Sequence, residues 1–132
     1  MRPIYIGCGN AADGSEAKEL ATRFATRVQV LGGVATGSWV MGISVDEEGA
    51  QRMRREMAES NFAVCVVDLA DPLSLVEFGA AIGMLLPVLV VSPFANEVSE
   101  IDKTDADEVE AAIEKVIETA KLLEAEQPVS VS

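Results

Sequence analysis

Apolar and polar positions alternate along the chain in blocks that read as strands and helices in turn. Ile4 to Cys8 is a short, almost wholly apolar run, as expected of a strand buried on both faces. The turn Gly9-Asn10-Ala11-Ala12 follows, and Leu20 and Phe24, four residues apart, predict a helix from about Ser15 to Arg27. Val28 to Leu31, extending toward Ala35, has the β-branched look of a second strand. Gly32 to Val45 has no period and reads as a long loop, a length that in compact domains often carries function. A charged helix is expected from Asp46 to Glu59, and Phe62 to Val67 is a continuous apolar strand ended by Asp68. Asp71-Pro72 marks the next helix start, with Asp as cap and Pro at the first helical position. That helix should run to Leu85.

Pro87 to Ser92 is a fourth strand, and Val98 to Ile101 is a brief fifth. The last helix, Asp105 to Ala125, has a stripe of Val109, Ile113, Val116, Ile117 and Leu123. Repeated β-α units with short connections imply right-handed crossovers and an α/β fold with a parallel five-stranded sheet, order 2-1-3-4-5. One domain spanning 1–126 accounts for the pattern, and 127–132 reads as a flexible tail. Ligands of such sheets bind beyond the carboxyl ends of the strands near the switch in strand order. That rule gathers Gly7 to Asn10, Asp68 to Ser74 and Ser92 to Asn96 around one site.

Composition narrows the chemistry. With 132 residues, 2 cysteines and no histidine, the chain lacks any His-dependent triad and the usual zinc ligand sets. No metal and no cofactor is expected. Cys8 and Cys65 sit in apolar strands, where a small buried thiol competes with a redox or catalytic role. The net charge of −12 is concentrated late: from Glu97 onward there are 11 acidic and 3 basic residues. An anionic chain is poorly suited to nucleic-acid polymers or acidic membranes. Phe78 to Val91 is apolar but interrupted by Gly79, Gly83 and Pro87, and is shorter than the ~20 residues of a membrane span. The N-terminus starts as a strand rather than a signal peptide, so the expected compartment is the cytoplasm.

Glu77 is the only charge in the run Leu73 to Met84. A carboxylate on a helix packed against a sheet needs compensation for its lost hydration. Two readings stand side by side: a capping box in which Ser74 and Glu77 form S-x-x-E, or a functional group. Asp71-Pro72 is the better helix start and moves Glu77 to the second turn.

Asp68-Leu69-Ala70-Asp71-Pro72, then Val76-Glu77-Phe78-Gly79-Ala80-Ala81-Ile82-Gly83 and Pro87-Val88, resembles the signature of the nucleoside 2-deoxyribosyltransferase family. Ile4-Tyr5-Ile6-Gly7 and Ser60-Asn61-Phe62-Ala63-Val64 are similar to that family and to the related deoxynucleoside 5′-monophosphate N-glycosidases. The resemblance covers most of Pro3 to Ser92. It implies a flavodoxin-like three-layer sandwich and cleavage or transfer at the N-glycosidic bond of a 2′-deoxynucleoside or its 5′-monophosphate. Glu77 would be the nucleophile at C1′, by the logic of retaining glycosidases. Tyr5 would orient the carboxylate, or only pack at a strand end. Asp68 would stand near the sugar or base, or serve only as a turn residue.

Gly7, Gly9 and Asn10 offer a backbone cradle, and Asp71 adjoins the same site. Ser74 and Ser92 are candidate phosphate donors, and Trp39 either stacks on a base or fills a gap beneath its loop. The family also supplies an Asp from the helix before the third strand; an ungapped count lands here on Met53, with Glu56 one turn away, and Asn61 replaces another usual Asp. The expected partners are a small-molecule nucleoside or nucleotide and further copies of the chain in a homo-oligomer, with no nucleic-acid polymer and no membrane. Two other classes compete: a nucleotide-sensing module that kept the pocket but lost the acid, and a phospho-receiver-like switch built on Asp68, Ser92 and Lys103. The switch lacks an acidic pair after the first strand to hold Mg²⁺.

Overall fold

A computed structural model describes residues 2–44, 46–68, 70–91 and 106–126. In order these form β1 (Ile4–Gly7), α1 (Glu16–Val30), β2 (Ala35–Thr36), α2 (Glu47–Glu59), β3 (Phe62–Val66), α3 (Pro72–Gly83), β4 (Val88–Val91) and α4 (Ala106–Glu126). The four strands make one parallel sheet in the order β2-β1-β3-β4. The α/β class, the parallel sheet and the placing of the first strand between the second and third are therefore as the hydrophobic pattern predicts. The expected fifth strand, Val98 to Ile101, lies outside the described residues, as do Ser92 and the 127–132 tail.

The second strand is not where its composition suggested. Val28 and its neighbours to Val30 continue α1, and the strand is the two-residue Ala35–Thr36. The reason is the stripe Leu20, Phe24, Val28, which keeps its four-residue spacing past Arg27 and stays buried. The helix stops at Gly32-Gly33: the Gly32 N–H donates to the Gln29 carbonyl and the Gly33 N–H to the Val28 carbonyl, closing off the last turn. The local β-preference of valine yields here to the burial of a helix face.

Alternation along the strands builds two core layers. Ile4, Ile6 and Cys8 point with Val64 and Val66 to the side covered by α1 and α4, where Phe24, Val28, Ile113 and Ile117 fill the space. Tyr5 points with Ala63, Cys65 and Val67 to the other side, against Met53 and Met57 of α2 and Ala81 of α3. A fully buried Phe or Met side chain contributes about 1.5–3 kcal/mol. The pleat thus aims Tyr5 and Gly7 at α3, the helix that carries Glu77.

Among the described residues no helix is long and apolar enough to cross a membrane.

Candidate functional site

Asp71 begins α3: its side chain accepts from the Leu73 N–H, with Pro72 in the first turn. Ser74 lies inside the helix, which rules out the capping-box reading of Ser74 and Glu77. The turn from Asp71 directs Ser74, Glu77 and Ala81 at the sheet. Glu77 is 0% exposed.

Three donors hold its carboxylate. The Tyr5 phenol donates to Oε2. Oε1 accepts from the Gly9 N–H and, at 2.8 Å, from the Ser38 hydroxyl. The Ser38 oxygen in turn accepts from the Cys8 N–H at 2.9 Å, which sets the hydroxyl's direction. Burial pushes the Glu77 carboxyl above the ordinary glutamate range, and the bonds from Tyr5, Ser38 and Gly9 oppose the shift. Burial and the neighbouring Glu77 likewise raise Tyr5, so its phenol stays protonated as a donor. Burial, then Glu77, pushes the Cys8 thiol up to about 11 and raises Cys65 as well. Both thiols are buried, as the bland reading of these residues has it.

The glycines of the first turn are required by this arrangement. A Cβ on Gly7 would stand 2.9 to 3.0 Å from the Glu77 carboxylate atoms. Gly9 has φ +62, and a Cβ there would meet Asp71 Oδ2 at 2.5 Å.

Beside this network lies a cavity of about 400 Å³, within the range of small-ligand sites. Tyr5, Asn10 and Ser38 line one part of it, the 41–44 segment another, and Arg52, Met53 and Glu56 of α2 a third. Arg52 Nε pairs with Glu56 Oε1 at 3.0 Å. Glu77 lies directly behind its two partners Tyr5 and Ser38.

The expected site residues therefore divide. Glu77, Tyr5, Gly7 and Gly9 come together, and Asn10 adjoins them in the cavity wall. Asp68 and Asp71 line a separate, more open hollow with Asn10, Ala11 and Pro72. There the Asp68 side chain accepts from the Ala70 N–H and Asp71 Oδ2 from the Asn10 N–H at 3.0 Å. The Ser74 hydroxyl accepts from the Asp68 N–H and donates to the Asp71 carbonyl at 2.8 Å, tying the end of β3 to α3. Trp39 packs against the α1 and α4 side of the core, the gap-filling reading of that residue. Ser92 lies outside the described residues.

One residue of the site escaped the reading of the sequence. Ser38 sits in a Gly-rich loop next to the more conspicuous Trp39, and nothing in its neighbours sets it apart. Glu56, which the sequence sets one turn from Met53, reaches the cavity wall: it follows Met53 by three residues and precedes Met57, so it borders the buried stripe of α2. Among the described residues no three His, Cys, Asp or Glu side chains converge to hold a metal ion. No family model, no curated protein and no solved structure matches the chain.

Proposed function

We propose that the chain cleaves or transfers at the N-glycosidic bond of a 2′-deoxynucleoside or its 5′-monophosphate, with Glu77 as nucleophile. The observation that carries this reading is the buried Glu77 carboxylate, fixed by Tyr5, Ser38 and Gly9 at the carboxyl end of the sheet and backed onto a cavity of ligand size. The resemblance of the Glu77 segment to nucleoside 2-deoxyribosyltransferases supports it, and with it a complete flavodoxin-like sheet of five strands and a homo-oligomer.

In the proposed reaction a Glu77 oxygen bonds to C1′ as the bond from C1′ to the base nitrogen breaks. The electron pair of that bond leaves on the base, which takes up a proton. Water or a second base then attacks C1′ and releases the carboxylate. Tyr5 orients the nucleophile. Met53 occupies the position of the family's Asp, so proton transfer to the departing base falls to Glu56, the carboxylate that α2 brings to the cavity wall.

A second reading is a nucleotide-binding module without turnover, favoured by Met53 in the wall and by the full burial of Glu77. One experiment separates the two. The protein is incubated with deoxynucleosides and their monophosphates, with and without an acceptor base, and free base is followed by chromatography. Release by the wild type that vanishes in Glu77→Gln is the expected result. Nucleotide binding with no release from any substrate would replace the enzyme with the module.

A further inference from the structure

The cavity beside Glu77 is poor in free hydrogen-bond donors. Its Tyr5 and Ser38 hydroxyls both donate to Glu77, and the Ser44 hydroxyl donates to Asp46 Oδ1 at 2.9 Å. Arg52 is the one cation among the described residues of the wall. Its Nε donates to Glu56 Oε1 at 3.0 Å, while its terminal NH₂ groups have no partner among the described residues. Asn10, also in the wall, has an amide that donates and accepts alike and so discriminates little.

The Arg52–Glu56 pair does little for α2 itself. The arginine precedes the glutamate by four residues, the less favourable order on a helix, and partly exposed pairs add little to stability. Nor does the wall suit a phosphate at Arg52. Glu48 and Glu56 stand one turn to either side and line the same cavity, so a dianion placed there would meet two carboxylates. A neutral acceptor escapes that repulsion and still takes the free N–H groups.

We infer that Arg52 is a specificity-determining residue that selects a purine with an oxo group at C6 over one with an amino group. This rests on the proposed chemistry, in which the base departs toward α2 and takes its proton from Glu56. On a purine that proton goes to N7, which is conjugated with the departing N9. The O–H bond of Glu56 breaks, an N–H bond forms at N7, and the electron pair of the bond from C1′ to N9 passes into the ring. The water or base that later attacks C1′ returns the proton to Glu56. N7 and the 6-substituent are neighbours on one edge of the base, as the Glu56 carboxyl and the Arg52 guanidinium are neighbours on the wall. With Glu56 at N7, a free N–H of Arg52 meets the 6-substituent. An oxo group accepts from it, whereas an amino group sets N–H against N–H. The Arg52 Nε remains on Oε1 and stabilises the carboxylate that the transfer leaves.

The test follows free base by chromatography from 2′-deoxyinosine, 2′-deoxyguanosine and 2′-deoxyadenosine and from their 5′-monophosphates, with binding of the same compounds measured by calorimetry. The wild type should favour the 6-oxo compounds over the 6-amino ones at least about ten-fold in kcat/KM. Arg52→Gln, whose amide can turn either way, should bring the ratio near one by slowing the 6-oxo substrates, and Arg52→Lys should keep its direction. Both variants should retain the wild-type circular dichroism. A purely structural role for Arg52 would slow every substrate equally, and that result overturns the inference. So does a wild-type ratio near one, a ratio that Arg52→Gln leaves unchanged, or a loss confined to the monophosphates, which would give Arg52 to the phosphate. Should no compound release base, the proposed chemistry fails and calorimetry decides the inference. Tighter binding of the 6-oxo compounds that Arg52→Gln abolishes sustains it, and equal or absent binding overturns it.

Discussion

Replacing Glu77 by glutamine takes one titratable proton out of the core and leaves its packing in place. The amide oxygen can keep the bonds from the Gly9 N–H and the Ser38 hydroxyl. The amide N–H₂ then stands where Oε2 was and donates to the Tyr5 oxygen, the phenol turning from donor to acceptor. The two proteins should differ mainly in their response to pH. In the wild type the folded pKa of Glu77 lies above its ordinary value of 4.5, with burial the main cause. Between the ordinary and the folded values the native state holds a proton that the unfolded chain has released. Stability contributed by this group is complete below the ordinary value and is lost as pH rises through the folded one.

For one proton the slope is at most ~1.4 kcal/mol per pH unit, equivalent to roughly 3–5 °C in Tm for a domain of this size. Urea unfolding followed by the fluorescence of Trp39, the single tryptophan, and run at one protein concentration from about pH 4 to pH 9 gives both curves. The other carboxylates contribute equally to both, so their difference isolates Glu77. Glu77→Gln should gain on the wild type as pH rises above the ordinary glutamate range and then run level with it. Parallel curves across the whole range would refute the placement of Glu77 as a buried, perturbed carboxyl.

Three further outcomes follow from the same contacts. Gly7→Ala drives a methyl group into a carboxylate that three donors prevent from swinging aside, and should lower stability by ~1–3 kcal/mol in thermal melts. Tyr5→Phe leaves Oε2 without its donor, costs ~1–3 kcal/mol, and removes one of the bonds that restrain the Glu77 pKa. The acid limb of base release should therefore move to higher pH, read from the pH profile of kcat. Glu56→Gln should reduce kcat for base release by ~10²-fold with a smaller change in nucleoside binding by calorimetry; unchanged kcat would remove Glu56 from the proton transfer.

The parts of this molecule that were legible in the sequence are those where one physical signal dominates. Phe62 to Val66 is apolar throughout because β3 is covered on both faces, and Asp71-Pro72 marks the start of α3 because cap and ring each fit one position. Glu77 stood out because a charge in an apolar helix has few explanations. Where two signals conflict, the sequence misleads. Val28 and Val30 have strand propensity, yet Val28 completes the apolar stripe of α1, and packing decides. Ser38 was illegible for a different reason: its role depends on the turn after β2 meeting the turn after β1, a long-range contact that no local pattern encodes. Met53 and Glu56 show the limit of counting along an aligned segment. Both line the cavity, because neighbouring positions on one face of a helix can serve the same wall.

The hydrogen bonds divide the two oxygens of Glu77 between support and reaction. Oε1 is committed to Gly9 and Ser38, both in turns that close the carboxyl ends of the strands, and losing either bond would disturb the backbone around it. Oε2 has the Tyr5 phenol as its partner, and Tyr5 lines the cavity. A nucleophile needs a free lone pair, so in the proposed reaction Oε2 attacks C1′ while Oε1 anchors. Full burial of Glu77 means that a sugar can reach Oε2 only if part of the wall gives way. β1 and α3 are held by the sheet and by the carboxylate itself. The segment from Ser38 to Ser44 belongs to neither helix nor sheet and carries the exposed Val40 and Met41. In the proposed reaction that segment is the part of the wall that gives way, while Gly9 stays on Oε1 as the anchor and the arriving substrate excludes water from the space beside Oε2.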